Sequence, residues 1–70
     1  MMEYFTEALV LDKDKKTDFD GIIYLYTKDY GKIVALAKGI YKPTSKLGGH
    51  LEPLNLVTVR LVEKNGFQIV

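Results

Sequence analysis

The chain has no cysteine, no tryptophan, one histidine and two prolines in seventy residues. Without cysteine no disulfide can staple it, so stability must come from apolar packing, a partner or a further domain. His50 stands without a thiolate or a second imidazole, which leaves a structural zinc centre without a ligand set. Apolar runs such as Ile33 to Ala37 fall far short of the roughly 20 residues a helix needs to cross a bilayer. The start, Met1-Met2-Glu3-Tyr4, lacks the basic and apolar regions of a secretory signal. A soluble, cytoplasmic protein is the expectation. The length allows one domain, residues 1–70, with a small core. A chain of this size buries only about 60% of the surface its unfolded form exposes.

Net charge is +1, and its distribution says more than its total. Between Glu3 and Asp20 six acids face three lysines, whereas Lys28, Lys32, Lys38, Lys42 and Lys46 are opposed only by Asp29. One basic half is an electrostatic footprint suited to nucleic acid. Solvated lysines guarding strand edges would give the same pattern.

Strand signals dominate. Tyr4 to Leu11 has strand composition, and Ala8-Leu9-Val10-Leu11 reads as a stretch buried on both faces or at a barrel closure. Asp12 to Asp18 has no apolar residue and is expected to be an exposed connection. Phe19 to Thr27 alternates, with Phe19, Gly21, Ile23 and Leu25 on one face and Ile22, Tyr24 and Tyr26 on the other. Gly21 suggests a bulge or bend there. Gly31 suits the left-handed position of a hairpin connection. Lys32 to Lys38 forms a third strand with Ile33, Ala35 and Ala37 together on one face. Pro43 and the Gly48-Gly49 pair forbid a long helix between Ile40 and His50, and Ser45 can cap one or two helical turns. Pro53 opens a fourth strand, Leu54 to Glu63, and Asn65-Gly66 is a strong hairpin signal before a fifth strand beginning at Phe67. Five strands at this spacing, with at most a short helix between the third and fourth, predict an all-β, five-stranded Greek-key barrel of the OB type.

Chemistry-bearing patterns are sparse. Ser45, His50 and Glu52 are the one hydroxyl–imidazole–carboxylate set worth testing, but an open loop on so small a domain offers no water-excluding pocket. Asp12, Asp14, Asp18 and Asp20 resemble a calcium loop only in density. Lys16 takes a ligand position, Thr17 replaces the turn glycine and Ile23 stands where a glutamate belongs. No glycine pair leads into Lys-Ser or Lys-Thr, so no phosphate loop is present. The residues therefore point to no enzyme, no cofactor and no small-molecule substrate. Tyr24, Tyr26, Tyr30 and Tyr41 lie in or beside the basic half, the combination of aromatic platforms and cations that holds single strands. Lys32 and Lys38 lie six residues apart on one strand face, roughly 20 Å, which spans a few nucleotides.

The ordered elements Thr27-x-x-x-Gly31-Lys32, Ala35-x-Ala37-Lys38-Gly39, Ser45-Lys46-Leu47 and Gly49-x-Leu51-x-Pro53 resemble the N-terminal OB domain of RecO, a family of bacterial recombination mediators. Glu7 to Leu11 is similar to that family's first strand, and Asp18-x-Asp20 falls where the family usually has Glu-x-Asp. The resemblance covers essentially the whole chain. It implies a DNA-binding domain at the start of a longer protein, followed by a helical domain that often carries zinc. It also implies binding of single- and double-stranded DNA, strand annealing, and work with RecR and single-strand-binding protein to load the RecA recombinase. The setting it implies is the bacterial cytoplasm and nucleoid. On this resemblance Lys38, Lys42 and Lys46 occupy basic family positions, and Lys32 follows the hairpin glycine. The candidate interface is accordingly Lys32, Lys38, Tyr41, Lys42, Ser45 and Lys46, with Tyr41 as stacking platform. Tyr41, Thr44 and Gly21 stand where the family often has basic residues, so weak binding is expected. A rival expectation is a module that docks RecR or a further domain of its own protein. An RNA-binding OB domain is a third.

Overall fold

The computed structural model describes residues 2–70. Five strands, β1 (Met2–Lys15), β2 (Gly21–Thr27), β3 (Gly31–Ala37), β4 (Leu56–Glu63) and β5 (Phe67–Ile69), close a barrel in the order β1-β2-β3-β5-β4. All pairings are antiparallel except β3 with β5, where Ala35 faces Phe67 and Leu36 faces Gln68. This is an OB-fold. Its connection from β3 to β4 contains a single 3-10 turn, Gly48–His50, which is all the helix that Pro43 and the paired glycines leave room for.

Sequence and structure part company most clearly at the end of β1. Residues 12–15, expected to be an exposed connection, continue the strand and pair with β2, from Asp12 opposite Tyr24 to Lys15 opposite Gly21. The pairing is interrupted between Val10 and Asp12, so Leu11 is an extra residue in the ladder. A bulge of one residue reverses which side chains face inward. Before it Thr6, Ala8 and Val10 are buried; after it the inward parity falls to Lys13 and Lys15. Leu11 itself is 41% exposed, so the Ala8–Leu11 run is not buried on both faces. The bend expected at Gly21 is therefore supplied by Leu11. Gly21 serves another purpose: a Cβ there would lie 2.5 Å from Ile40 Cδ1 and 3.2 Å from Tyr41 Cε2. Its missing side chain lets the loop after β3 settle on β2.

The core follows the strand alternation. Ile23 and Leu25 of β2, Ile33, Ala35 and Ala37 of β3, and Val59 and Leu61 of β4 converge with Ala8 and Val10. Burying a large aliphatic side chain contributes about 1.5–3 kcal/mol, and Ile23, Leu25, Leu51 and Leu61 are wholly enclosed. Ile40 and Leu51, both from the β3–β4 connection, plug one end of the barrel. Phe19, expected on the inner face, precedes β2 and is 48% exposed. Two threonines are buried with their hydroxyls engaged. Thr6 donates to the Glu7 carbonyl at 3.0 Å, and Thr27 donates to the Gly31 carbonyl at 2.6 Å while accepting the Tyr30 N–H. Gly31 takes φ +72, and Asn65 and Gly66 take φ 51 and 100, as their turns require. The fourth strand begins at Leu56, two residues later than expected. Leu54 instead adopts φ 73 and, with Asn55, pairs with Val10 beside the bulge.

Candidate nucleic-acid interface

The outer surface of β2 and β3 is built from cross-strand pairs: Tyr26 with Lys32, Tyr24 with Val34, and Ile22 with Leu36. Lys38 follows just past the end of β3, so Lys32 and Lys38 bracket that strand, and both are exposed. Tyr26 is 61% exposed, whereas Tyr24 donates its hydroxyl to Asp14 Oδ2 at 3.0 Å. That bond to a carboxylate holds the Tyr24 phenol above its ordinary pKa.

The loop after β3 is pinned against the connection from β1 to β2. Gly39 N–H donates to Asp20 Oδ1 at 2.7 Å, and Tyr41 N–H donates to the Phe19 carbonyl at 2.9 Å. These bonds carry the basic loop onto the end of β1. The Lys42 ammonium lies 5.7 Å from the Phe19 ring centre. Lys13 and Lys15 place their ammonium groups 5.2 and 5.6 Å from the Tyr41 ring. Cations at such distances are attracted by the ring quadrupole.

The two lysines on Tyr41 differ in what else they do. Lys13 donates to Glu52 Oε1 at 3.0 Å and to the Gly48 carbonyl at 3.4 Å, and its side chain is only 10% exposed. It is spent inside the molecule. Lys15 is exposed and takes part in none of the ion pairs among the described residues. Ser45 accepts the Leu47 and Gly48 N–H groups, each at 3.3 Å, so its hydroxyl oxygen organises the turn. Among the described residues no hydrogen bond joins Ser45, His50 and Glu52, and no cluster of His, Cys, Asp or Glu is arranged to hold a metal.

Of the six residues expected at the interface, Lys38, Tyr41, Lys42, Ser45 and Lys46 lie on or beside one loop, and Lys32 stands at the far end of β3. Tyr41 is half-buried, packed on the core and beneath the two lysines of β1. Lys13 and Lys15 escape a reading of composition because the bulge that turns them toward the loop leaves no mark in it, and Phe19, assigned to the inner face by alternation, lies exposed ahead of β2. The alternation Asp12-Lys13-Asp14-Lys15 is the available signal: charges alternating with period two belong to a strand.

Comparison with known sequences gives the family. Residues 1–70 match the family described as recombination protein O N terminal. The chain belongs to that family. It is 37% identical over 70 residues to the DNA repair protein RecO of Cutibacterium acnes, covering all of this chain and 28% of that protein. It is 41% identical over 70 residues to the RecO of Bifidobacterium animalis subsp. lactis, covering all of this chain and 29% of the relative. With the RecO of Nocardioides sp. it shares 40% identity over 62 residues, 89% of this chain and 25% of the relative. The chain thus spans between a quarter and a third of the length of these RecO proteins.

Proposed function

We propose that this RecO-type OB domain binds DNA in bacterial recombinational repair. A single strand lies along β3 between Lys32 and Lys38 and passes onto the loop carrying Lys42 and Lys46. The observation that carries the reading is the basic and aromatic edge where Lys15 lies over the Tyr41 ring and Lys42 over Phe19, with exposed Lys38 just past the end of β3. Phosphates meet the ammonium groups, and exposed Phe19 offers a ring to a base. Tyr41, with lysines over its ring, acts as the platform that presents those lysines. The whole protein, on this reading, anneals complementary strands and helps load recombinase with RecR and single-strand-binding protein, in the cytoplasm at the nucleoid. It needs no cofactor and makes or breaks no bond. The test is binding of a labelled oligonucleotide at several salt concentrations. Replacing Lys38, Lys42 and Lys46 by alanine should lower the salt slope on single strands by about 2, at roughly 0.7 for each phosphate no longer neutralised. No binding at low salt, or affinity unchanged in the triple variant, would overturn the proposal.

A second reading, docking of a protein partner such as RecR, is favoured by an apolar stripe. Leu56, Tyr26, Leu54 and Leu11 are 71%, 61%, 80% and 41% exposed, and Leu9 lies between Tyr26 and Leu56 in the ladder. Capture of RecR that persists at high salt, and disappears in Leu56→Asp, would support it.

A further inference from the structure

At the Lys32 end of β3 three aromatic rings surround a hollow of about 230 Å³. Its walls are Tyr4, Tyr30, Ile33 and Phe67, with Lys32 among the lining residues. The rings meet at angles. Tyr4 and Tyr30 are 5.0 Å apart at 69°, and Tyr4 and Phe67 are 6.0 Å apart at 61°. No ring here is stacked face to face on another among the described residues. The Tyr4 hydroxyl is anchored by a 3.2 Å bond to Glu63 Oε1, which fixes that wall. Tyr30 belongs to the β2–β3 turn and is 48% exposed, so it is the accessible wall.

We infer that this hollow takes one unpaired nucleobase, with the adjoining phosphate on Lys32. The inference rests on the DNA-binding reading and extends it to a second subsite, across β3 from the Phe19 and Lys42 edge. Three features select this ligand. The hollow is smaller than the roughly 300–1,000 Å³ of sites for drug-sized ligands, which suits a single flat ring system rather than a helix or strand. Its lining is aromatic and aliphatic with one cation and no carboxylate, as a base with an attached anion requires. Lys32 is in none of the ion pairs among the described residues, so its charge is available. It also opens the lysine track already assigned to phosphates, which makes the hollow continuous with the proposed interface.

The experiment uses the seventy-residue chain and a short single strand carrying one 2-aminopurine, whose fluorescence falls on stacking. Binding should quench the probe. Tyr30→Ala, at an exposed turn position, should weaken binding roughly tenfold and relieve the quench. The salt slope should stay unchanged, because every lysine still meets its phosphate. Tyr30→Phe should restore both affinity and quench. Lys32→Ala should instead lower the slope by about 0.7. Equal affinity and quench in wild type and Tyr30→Ala would overturn the subsite while leaving the DNA-binding reading intact. That result would leave the hollow to a partner's side chain. Absence of any binding by the wild type would remove subsite and interface together.

Discussion

Lys13 Nζ reaches Glu52 Oε1 at 3.0 Å across the end of the barrel, joining the last residues of β1 to the segment that enters β4. The lysine is nearly enclosed, while Glu52 is 57% exposed. The pair is therefore partly screened, and most of the lysine's worth lies in its several partners: Glu52, the Gly48 carbonyl and the Tyr41 ring. Lys13→Met keeps the stem and removes the donors. It should lower stability by about 1–2 kcal/mol in urea unfolding. Glu52→Gln should cost less than about 1 kcal/mol. Because Lys13 is occupied internally, Lys13→Met should leave the salt slope of oligonucleotide binding unchanged, whereas Lys15→Ala should lower it. Equal salt-slope effects of the two substitutions would show that Lys13 reaches phosphate as well.

Much of this barrel is legible in the sequence, for identifiable reasons. The alternation of Ile23 and Leu25, and of Ile33, Ala35 and Ala37, marks buried faces that the structure keeps. Gly31 and Asn65-Gly66 announce turns whose positive φ is observed. What is not legible depends on register. A bulge at Leu11 is one additional residue among apolar neighbours, and nothing local distinguishes it. Its effect appears just beyond, where Lys13 is drawn under cover, Lys15 comes over the Tyr41 ring and the expected connection becomes strand. The basic loop can be recognised from its own lysines, but its packing on Phe19 and beneath Lys13 and Lys15 cannot. That packing requires β1 to be long and Gly21 to be bare.

The bulge makes a sharp prediction. Deleting Leu11 removes the extra residue, so Asp12 follows Val10 directly and Lys13 keeps the inward parity that brings it to Glu52. What the deletion takes away is the bend of β1. The variant should therefore still unfold cooperatively, with a lower midpoint in thermal unfolding followed by circular dichroism. Leu11→Ser keeps the residue count and changes an exposed side chain, so it should remain within about 0.5 kcal/mol of the native protein. Similar damage from both would mean that the leucine side chain, rather than the added backbone unit, is what matters.

Leu54 carries a different kind of cost. It is 80% exposed yet held at φ 73. Its N–H donates to the Val10 carbonyl at 2.7 Å, and the Asn55 carbonyl accepts the Val10 N–H at 2.9 Å. These two bonds fix the backbone in a region that disfavours a leucine by about 1–2 kcal/mol. Leu54→Asn, with a side chain that tolerates this conformation, should raise stability by about 0.5–1 kcal/mol in the same urea assay. A fall in stability instead would show that the leucine side chain makes an interaction worth more than the strain.

Tyr24 and Asp14 give a prediction in pH. The neutral phenol donates to the carboxylate, so folding raises the tyrosine pKa above 10.0, mainly through this hydrogen bond. A group whose pKa is raised on folding stabilises the folded state below its unfolded pKa. That contribution is lost as pH rises through the higher, folded value. Stability of the native chain should therefore fall above about pH 10 by more than that of Asp14→Asn, where the carboxylate is gone. Tyr4 is raised as well, by burial first and then by Glu63, so its titration must be separated. Ultraviolet titration of phenolate, taken as the difference between native protein and Tyr24→Phe, isolates the Tyr24 contribution. In the Asp14→Asn background the same difference should move toward ordinary tyrosine. An unmoved curve would mean that the Tyr24–Asp14 bond does not persist in solution.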